Sequence, residues 1–390
     1  MKKRVIIVGA GFSKSLADAP LVNEFVEPIY KAAVEKELSK RIGRTDFESS
    51  FIKVVEHLAN SIEHGLKFLE KDGTKIKNRS GIGLISSLNI EYLSTFIDLN
   101  IERPFIPKGI GVDLQGCPIP FMDNMFVFNF GDAKTFLLNY IIQILLPDSL
   151  NIKKGYFKKI QSFFREGDVI ITFNYDILLE QILFDAGLWH PFDGYLLGKI
   201  DDYILLEQGS IVETKIPIIK LHGSINWQEP GLFDNDITIF VTHPNNHMPF
   251  FPGLKYKTKI KRIADKKLLH AFLIFPTFMK KYKSKHELLL LKTAIKHIQN
   301  CNEIITLGYS FPEADSITAF MLTQIPENTI IKIIDLKADE IKEKLMKIFS
   351  LKNRIVDEKI GICEWLDNDC KFISFRNKII EQRLIRQLLG

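Results

Sequence analysis

The sequence contains near its start the stretch Val5-Ile-Ile-Val-Gly-Ala-Gly-Phe-Ser13. Four β-branched residues in a row predict a short strand that is buried on both faces, as in a parallel sheet. The glycines that follow predict a tight turn leading into a helix. We therefore take this stretch as the first strand of a doubly wound sheet.

Similar apolar runs recur along the chain, each followed by a polar or glycine-containing turn. They lie at 169–172, 216–221, 304–307 and 330–334. Strands this far apart, with helical patterns between them, are typical of α/β proteins. The predicted fold class is α/β, with a Rossmann-like parallel sheet, a large helical insertion and a helical C-terminal tail.

The insertion separates the first two strands. Apolar residues at helical spacing predict helices at 21–40, 46–69, 89–99 and 133–146. A second, proline-rich and irregular stretch at 227–276 predicts a small lobe. We expect one sheet domain over 1–336, with an insertion at about 32–164, and a tail over 337–390 that contains helices at 338–349 and 379–389.

Composition excludes several classes of protein. The net charge of +5 on 390 residues is too small and too scattered to indicate nucleic acid or membrane as a target. Four cysteines without a CxxC pair form neither a zinc knuckle nor a dense disulfide framework. The apolar run after Met1 is too short for a signal core, so we expect a cytoplasmic protein.

Polar or glycine-containing segments follow all five predicted strands, where α/β sheets bind their ligands. Gly9 and Gly11 permit close approach of a phosphate, or form a purely structural turn. Asn174 and Asp176 suit a ribose or a carboxamide, or cap the next helix. His222 is a base near neutral pH, or a structural histidine. The remaining strand ends carry Gly308, Ser310 and Asp335.

The ordered motifs GAGFS, TFNYD, LHGS and GYSFP, followed by a strand that ends in Asp, resemble the sirtuin family. The resemblance is greatest to a divergent branch in prokaryotic antiphage defence proteins, where GYS-x-P-x-x-D, here Gly308 to Asp315, replaces the GTS turn of deacylating sirtuins. It covers residues 4–31 and 165–336.

The resemblance implies NAD as substrate and assigns a role to each motif. His222 would be the catalytic base and Asn174 would hold the ribose and the attacking water. The residues implied in holding NAD are Gly9, Ala10, Gly11, Ser13, Asn174, Asp176, Gly308, Ser310 and Asp335.

Two departures from the deacylating sirtuins bear on the activity. The G-I-P-D-F-R substrate loop is reduced to Ala19-Pro20-Leu21, and only Cys301 lies where a four-cysteine zinc site would be. His243 and His247 flank Pro244, which disfavours a helix that would bring both to one metal. We expect no metal.

Three functions remain open. The first is an NAD hydrolase (an NAD+ glycohydrolase) that releases nicotinamide and ADP-ribose. The second is an NAD-dependent protein deacylase, and the third is a sensor or scaffold that binds NAD or ADP-ribose without turnover. The resemblance also implies antiphage defence through NAD depletion, gating by a partner such as a HerA-type ATPase, and a homo-oligomer.

Overall fold

The computed structural model describes residues 3–35, 46–71, 85, 88–102, 111–112, 118–119, 129–191, 193–197, 203–205, 213–230, 239–241, 269–278, 280, 282, 284–312, 315–347 and 351–372. The strands are, in chain order, β1 (Arg4–Val8), β2 (Gly111–Val112), β3 (Pro118–Ile119), β4 (Val169–Thr172), β5 (Tyr203–Leu205), β6 (Ile218–Lys220), β7 (Gly223–Pro230), β8 (Ile239–Val241), β9 (Leu269–Leu273), β10 (Glu303–Leu307), β11 (Ile330–Asp335) and β12 (Ile355–Lys359).

The helices of the same residues are, in chain order, α1 (Ala10–Ala17), α2 (Val26–Val34), α3 (Asp46–Lys71), α4 (Ile90–Glu102), α5 (Phe130–Leu145), α6 (Phe157–Phe163), α7 (Leu178–Asp185), α8 (Lys285–Gln299), α9 (Ser316–Leu322), α10 (Ala338–Lys347) and α11 (Ile362–Asp367). Two short 3-10 helices, Pro147–Ser149 and Lys154–Tyr156, precede α6. None of the described helices is long and apolar enough to cross a membrane.

Six parallel strands form the main sheet, in the order β12-β11-β10-β1-β4-β6. The strand β1 is central: Val5 pairs with Ile304 of β10 on one side and with Val169 of β4 on the other. All residues of β1 and β4 are buried, which explains their uninterrupted apolar runs. The predicted α/β class with a Rossmann-like parallel sheet is confirmed, and all five predicted strands are present.

The sixth strand, β12, was not expected, because its sequence Ile-Val-Asp-Glu-Lys is mostly charged. In the sheet it pairs with β11 alone and forms an edge, where charged residues are common. This strand lies beyond residue 336, so the segment expected to be a helical tail contributes to the sheet between α10 and α11. The predicted helix at 379–389 lies outside the described residues, and the division into domains stays a prediction.

The predicted helices of the insertion are present as α2, α3, α4 and α5, which we call the insertion helices. They share a hydrophobic core that is separate from the core of the main sheet. Phe51 and Phe136 are completely buried in it, with ring centroids 4.9 Å apart. Residues near the edge of the main sheet also belong to this core, among them Ile177 before α7, Ile225 of β7 and Phe275 after β9. The insertion therefore packs against the carboxyl ends of the sheet strands.

The stretch expected to be an irregular lobe contains regular structure. Strands β5, β8, β7 and β9 form a second sheet, in which β7 pairs antiparallel with both β8 and β9. Apolar and polar residues alternate from Ser224 to Trp227 of β7, and all four are buried. Because polar residues interrupt the apolar run, this strand is less evident in the sequence than the central strands of the main sheet.

Candidate active site

The order of the main sheet changes direction between β1 and β10, because the chain proceeds from β1 to β4 and β6 and then returns to the other side of β1. Doubly wound sheets bind ligands in the crevice at such a switch point, beyond the carboxyl ends of the strands. The predicted site residues lie after β1, β4, β6 and β10 and at the end of β11. All five positions are at this one edge.

Glycines are required where the turns after β1 and β10 meet. A Cβ atom on Gly9 would lie 2.6 Å from the carbonyl oxygen of Gly308, and one on Gly308 would lie 2.4 Å from the backbone nitrogen of Phe12. Gly308 also has a φ of +60°. The Gly9 and Gly11 N–H groups donate to the Leu307 and Gly308 carbonyls, at 3.1 and 2.9 Å. These glycines thus have a structural role in holding the two turns together, whatever else binds there.

The structure brings Asn174 to the first turn of α1. Its Nδ2 donates to the Gly9 carbonyl and to Ser13 Oγ, both at 3.0 Å. Its backbone N–H donates to Thr172 Oγ1, whose hydroxyl donates to the Val8 carbonyl. With the amide nitrogen fixed in this way, Oδ1 of Asn174 has no hydrogen-bond partner among the described residues. A fixed amide with a free oxygen is suited to accept a hydrogen bond from a ligand.

Asp176 contacts the start of the helix that follows it. Its Oδ1 accepts from the Leu178 N–H at 3.1 Å, at the first turn of α7, and the residue is buried. Its backbone carbonyl accepts from Lys220 Nζ at 2.5 Å. Asp176 therefore fixes α7 and the end of β6 relative to each other.

His222 follows β6 and is paired with a carboxylate. Its Nε2 lies 3.3 Å from Oδ2 of Asp315, and the two side chains are 8% and 2% exposed. The ring of Phe173 packs edge-on against the imidazole, with centroids 5.0 Å apart. A buried carboxylate next to one ring nitrogen selects the tautomer of a histidine and leaves the other nitrogen as acceptor. A histidine placed in this way is chemically able to act as a base near neutral pH.

Asp315 was not among the predicted site residues. The signal for it is its place at the end of the motif GYS-x-P-x-x-D, which was used only for the resemblance. Burial raises the pKa of the Asp315 carboxyl, but the contact with His222 and the positive charge of Lys280 lower it more, so the net shift is downward. The carboxylate form is thus favoured next to His222.

Aromatic rings form one wall beside this pair. Phe173 stacks on Tyr309, with centroids 4.7 Å apart and planes at 4°. Tyr309 Oη shares a 2.5 Å hydrogen bond with Thr318 Oγ1. The wall joins the turn after β4 to the turn after β10 and separates His222 from the sheet core.

Asp335 and Ser310 lie at the β10 and β11 end of the same edge. Asp335 Oδ1 accepts from the Lys337 N–H at 2.8 Å, and burial raises the pKa of this carboxyl. Ser310 is exposed. The turn after β10 is attached to β11 by the Gly308 N–H, which donates to the Ile334 carbonyl at 3.0 Å.

Metal ligands do not cluster in the part of the chain that the structure describes, where no three His, Cys, Asp or Glu side chains form a group that could hold an ion. The predicted loop residues His243 and His247 lie outside it. The described site contains groups for hydrogen bonding and proton transfer.

No family model and no curated protein matches the chain. Among solved structures, it is similar to a Sir2 homologue in complex with NAD, with 13% identity, coverage of 100% of this chain and 91% of the other, and a TM-score of 0.40. It is also similar to a mutant Sir2 homologue in complex with ADP-ribose, with 13% identity, coverage of 94% of this chain and 90% of the other, and a TM-score of 0.35. A third similar structure is Sir2 in complex with an inhibitor, 2'-O-acetyl-ADP-ribose and a deacetylated peptide. It has 11% identity, coverage of 94% of this chain and 91% of the other, and a TM-score of 0.33.

Proposed function

We propose that this chain is an NAD+ glycohydrolase, which cleaves the nicotinamide–ribose bond of NAD with water and releases nicotinamide and ADP-ribose. The observation that carries the proposal is that two sets of polar groups lie beyond the carboxyl ends of neighbouring strands of the main sheet. One is Asn174, whose amide nitrogen is fixed and whose Oδ1 is free. The other is the buried pair of His222 and Asp315.

The edge of the sheet offers groups for the rest of a dinucleotide. The exposed residues Ala10 and Ser310 lie on the turns after β1 and β10, where a pyrophosphate would meet little steric hindrance. Asp335 would accept hydrogen bonds from the hydroxyls of the adenosine ribose, through the oxygen that the Lys337 N–H leaves free. Gly9, Gly11, Ser13 and Asp176 would support these groups through the backbone and side-chain contacts described above.

The chemistry needs a water molecule, a base and an enclosed ribose. The carbon–nitrogen bond breaks with its electron pair leaving on nicotinamide, and positive charge develops on the ribose, as in other glycoside cleavage. Asn174 Oδ1 orients the attacking water. With Nε2 of His222 facing Asp315, Nδ1 is free to accept the proton that the water loses. The new carbon–oxygen bond gives ADP-ribose.

The test is a chromatographic assay of nicotinamide and ADP-ribose release from NAD. We expect His222→Ala to lower the rate by about 10² to 10⁴-fold, the range of a general base. Asn174→Ala should lower it by about 10² to 10³-fold, as expected when one positioned polar group is removed. His297→Gln, in α8 and remote from this edge, is the control and should keep the wild-type rate.

Three outcomes would contradict the proposal. If the wild-type protein releases no nicotinamide, either alone or with activators, turnover of NAD is excluded. Production of O-acyl-ADP-ribose from an acylated peptide would favour the deacylase. Calorimetric NAD binding without product, unchanged by His222→Ala, would favour a sensor or scaffold.

We further propose that the activity is gated in the cytoplasm and depletes NAD during antiphage defence, because unchecked NAD hydrolysis would harm the host cell. The support is the resemblance of the ordered motifs to the defence branch. It leads us to expect a homo-oligomer and an activating partner such as a HerA-type ATPase, with no direct binding of nucleic acid. A monomer at micromolar concentration by light scattering, together with full activity of the isolated chain, would contradict this part.

A further inference from the structure

Tyr175 lies in the sequence between Asn174 and Asp176, two residues of the candidate site. Its hydroxyl donates to the Ile274 carbonyl, immediately after β9, at 2.6 Å. Its backbone carbonyl accepts from the Ile225 N–H, in β7, at 2.9 Å. The loop after β4 is thus bonded through this one residue, by side chain and by backbone, to the second sheet.

The loop that carries His222 is bonded to the same place. The Ile274 N–H donates to the His222 carbonyl at 3.0 Å. Gly223 follows with a φ of +81°, and a Cβ there would overlap the Phe272 carbonyl of β9, so this loop lies directly against β9. Ile274 therefore joins the two loops, because its carbonyl accepts from Tyr175 and its N–H donates to His222.

The ring of Tyr175 also lies beside the imidazole of His222, with centroids 6.2 Å apart and planes at 38°. Phe173, on the other side of Asn174 in the sequence, packs edge-on against the same imidazole. The hydroxyl of Tyr175 is bonded to a backbone carbonyl, so it serves to fix the loop. Burial raises the pKa of Tyr175, so this hydroxyl keeps its proton and stays a donor at neutral pH.

We propose that Tyr175 is a positioning residue of the candidate site, which sets the separation of Asn174 from His222 by joining the loop after β4 to Ile274. The first of these two residues would orient the attacking water and the second would take its proton, so both must lie within hydrogen-bond reach of one molecule. The inference rests on the proposed function for its kinetic consequence, but not for the effect of Tyr175 on His222.

A purely structural role for the hydroxyl predicts a different result. In that case the hydroxyl only satisfies the Ile274 carbonyl, and its loss lowers the stability of the fold without regard to what His222 does. A positioning role makes the loss depend on His222, because a site without the base has nothing left to position. A double-mutant cycle measures this dependence.

The kinetic test uses Tyr175→Phe, which removes the hydroxyl and keeps the ring. We expect kcat for NAD cleavage to fall by about 3- to 10-fold, the effect of one lost hydrogen bond, with KM within about twofold of the wild type. Added to His222→Ala, the same change should lower kcat by less than about twofold. The matched control is Tyr30→Phe, which removes a 2.7 Å hydroxyl bond to Glu56 in the insertion and should leave kcat and KM unchanged.

A second measurement does not depend on activity. The Cε1–H signal of His222 in a proton–carbon NMR spectrum, assigned by its loss in His222→Ala, should shift and broaden in Tyr175→Phe and stay in place in Tyr30→Phe. An equal loss of kcat with and without His222, or an unchanged His222 signal, would overturn the inference. A wild type without NAD cleavage would remove the proposed function, while the His222 signal would still decide the role of Tyr175.

Discussion

Gly308 connects the backbone of the sheet with the geometry of the site. Its φ of +60° lies in the left-handed region, and its α-carbon faces the backbone of Gly11 and Phe12. Any side chain there would separate the turn after β10 from the turn after β1. Both turns carry residues that we assign to NAD binding, so the spacing of the candidate site depends on this one residue.

Replacement of Gly308 tests this steric requirement. Gly187 has a similar φ of +66°, but no atom lies within 4 Å of the place that a Cβ would take, so Gly187→Ala measures backbone strain alone. We expect Gly187→Ala to lower the free energy of unfolding by about 1 kcal/mol and Gly308→Ala to lower it by about 3 kcal/mol, since the latter adds a backbone clash. Urea unfolding followed by circular dichroism measures both, and equal losses would contradict a steric role.

At this scale the sequence predicted part of the site. Asn174, Ser13 and the Gly9 turn were expected together, because the carboxyl ends of parallel strands meet at one edge. Asp176 was ambiguous, since a residue that follows a strand and precedes a helix can bind a ligand or cap the helix. The pairing of Asp315 with His222 joins residues that are far apart in the sequence. The motif GYS-x-P-x-x-D contains Asp315, but it does not show which residue Asp315 contacts.

Strand β6 and helix α7 are joined by a buried charge pair. Lys220 Nζ lies 2.7 Å from Glu180 Oε1, and both side chains are completely buried. The Tyr195 hydroxyl donates to the same Glu180 oxygen at 3.1 Å. Because Lys220 comes two residues before His222, the pair sets where the histidine loop begins.

The single variant Lys220→Met should destabilise the protein by about 3–5 kcal/mol, because it leaves a buried carboxylate without its cation. The double variant Lys220→Met with Glu180→Leu should recover much of that loss. Thermal unfolding and urea unfolding give both values. A double variant as unstable as the single one would contradict this account.

The loss in Lys220→Met should also depend on pH. Burial raises the pKa of Glu180, and Lys220 offsets only part of that rise. A carboxyl whose pKa is higher in the folded state binds its proton more tightly there, so stability increases as pH falls through that pKa. The single variant should therefore be closer to the wild type at pH 5 than at pH 8, and equal losses at both pH values would argue against a buried charge.

Helices and strands with a regular spacing of apolar residues were predictable from the sequence, whereas strands at the edge of a sheet were not. The insertion helices show apolar residues at helical spacing because one face of each is buried in a shared core. By contrast, β12 is an edge strand with charged residues, and β7 begins immediately after the His222 turn. Neither has the uninterrupted apolar run by which the central strands were found.

At the scale of the molecule, two hydrophobic cores meet at the candidate site. One fills both faces of the main sheet and the other fills the insertion helices. The sequence indicated the strands of the sheet and the amphipathic helices of the insertion, since each has its own spacing of apolar residues. It did not indicate that α4 contacts the residues that follow β9, because the contacts of Glu91 and Thr95 are with residues more than 180 positions further along the chain.

Because the two hydrophobic cores are separate, we expect a substitution in one core to destabilise mainly the elements that pack around it. Phe136→Ala, in the insertion core, should cost about 3–5 kcal/mol and raise hydrogen exchange mainly in α3 and α5. Ile170→Ala, in β4, is the matched variant and should raise exchange mainly in the main sheet. Mass spectrometry of exchanged peptides distinguishes them, and the same pattern in both variants would show a single cooperative unit.

The pairing of β1 with β10 joins residues 299 positions apart, as Arg4 with Glu303. A ribosome that adds about 5–20 residues per second needs roughly 15–60 s between these strands. For that time the nascent chain carries a β-branched segment that lacks its β10 neighbour, which is a hazard for aggregation. The insertion helices are complete by residue 145, so they can fold while the rest of the main sheet is still being synthesised. The position of the insertion in the chain therefore bears on folding during synthesis as well as on the folded structure.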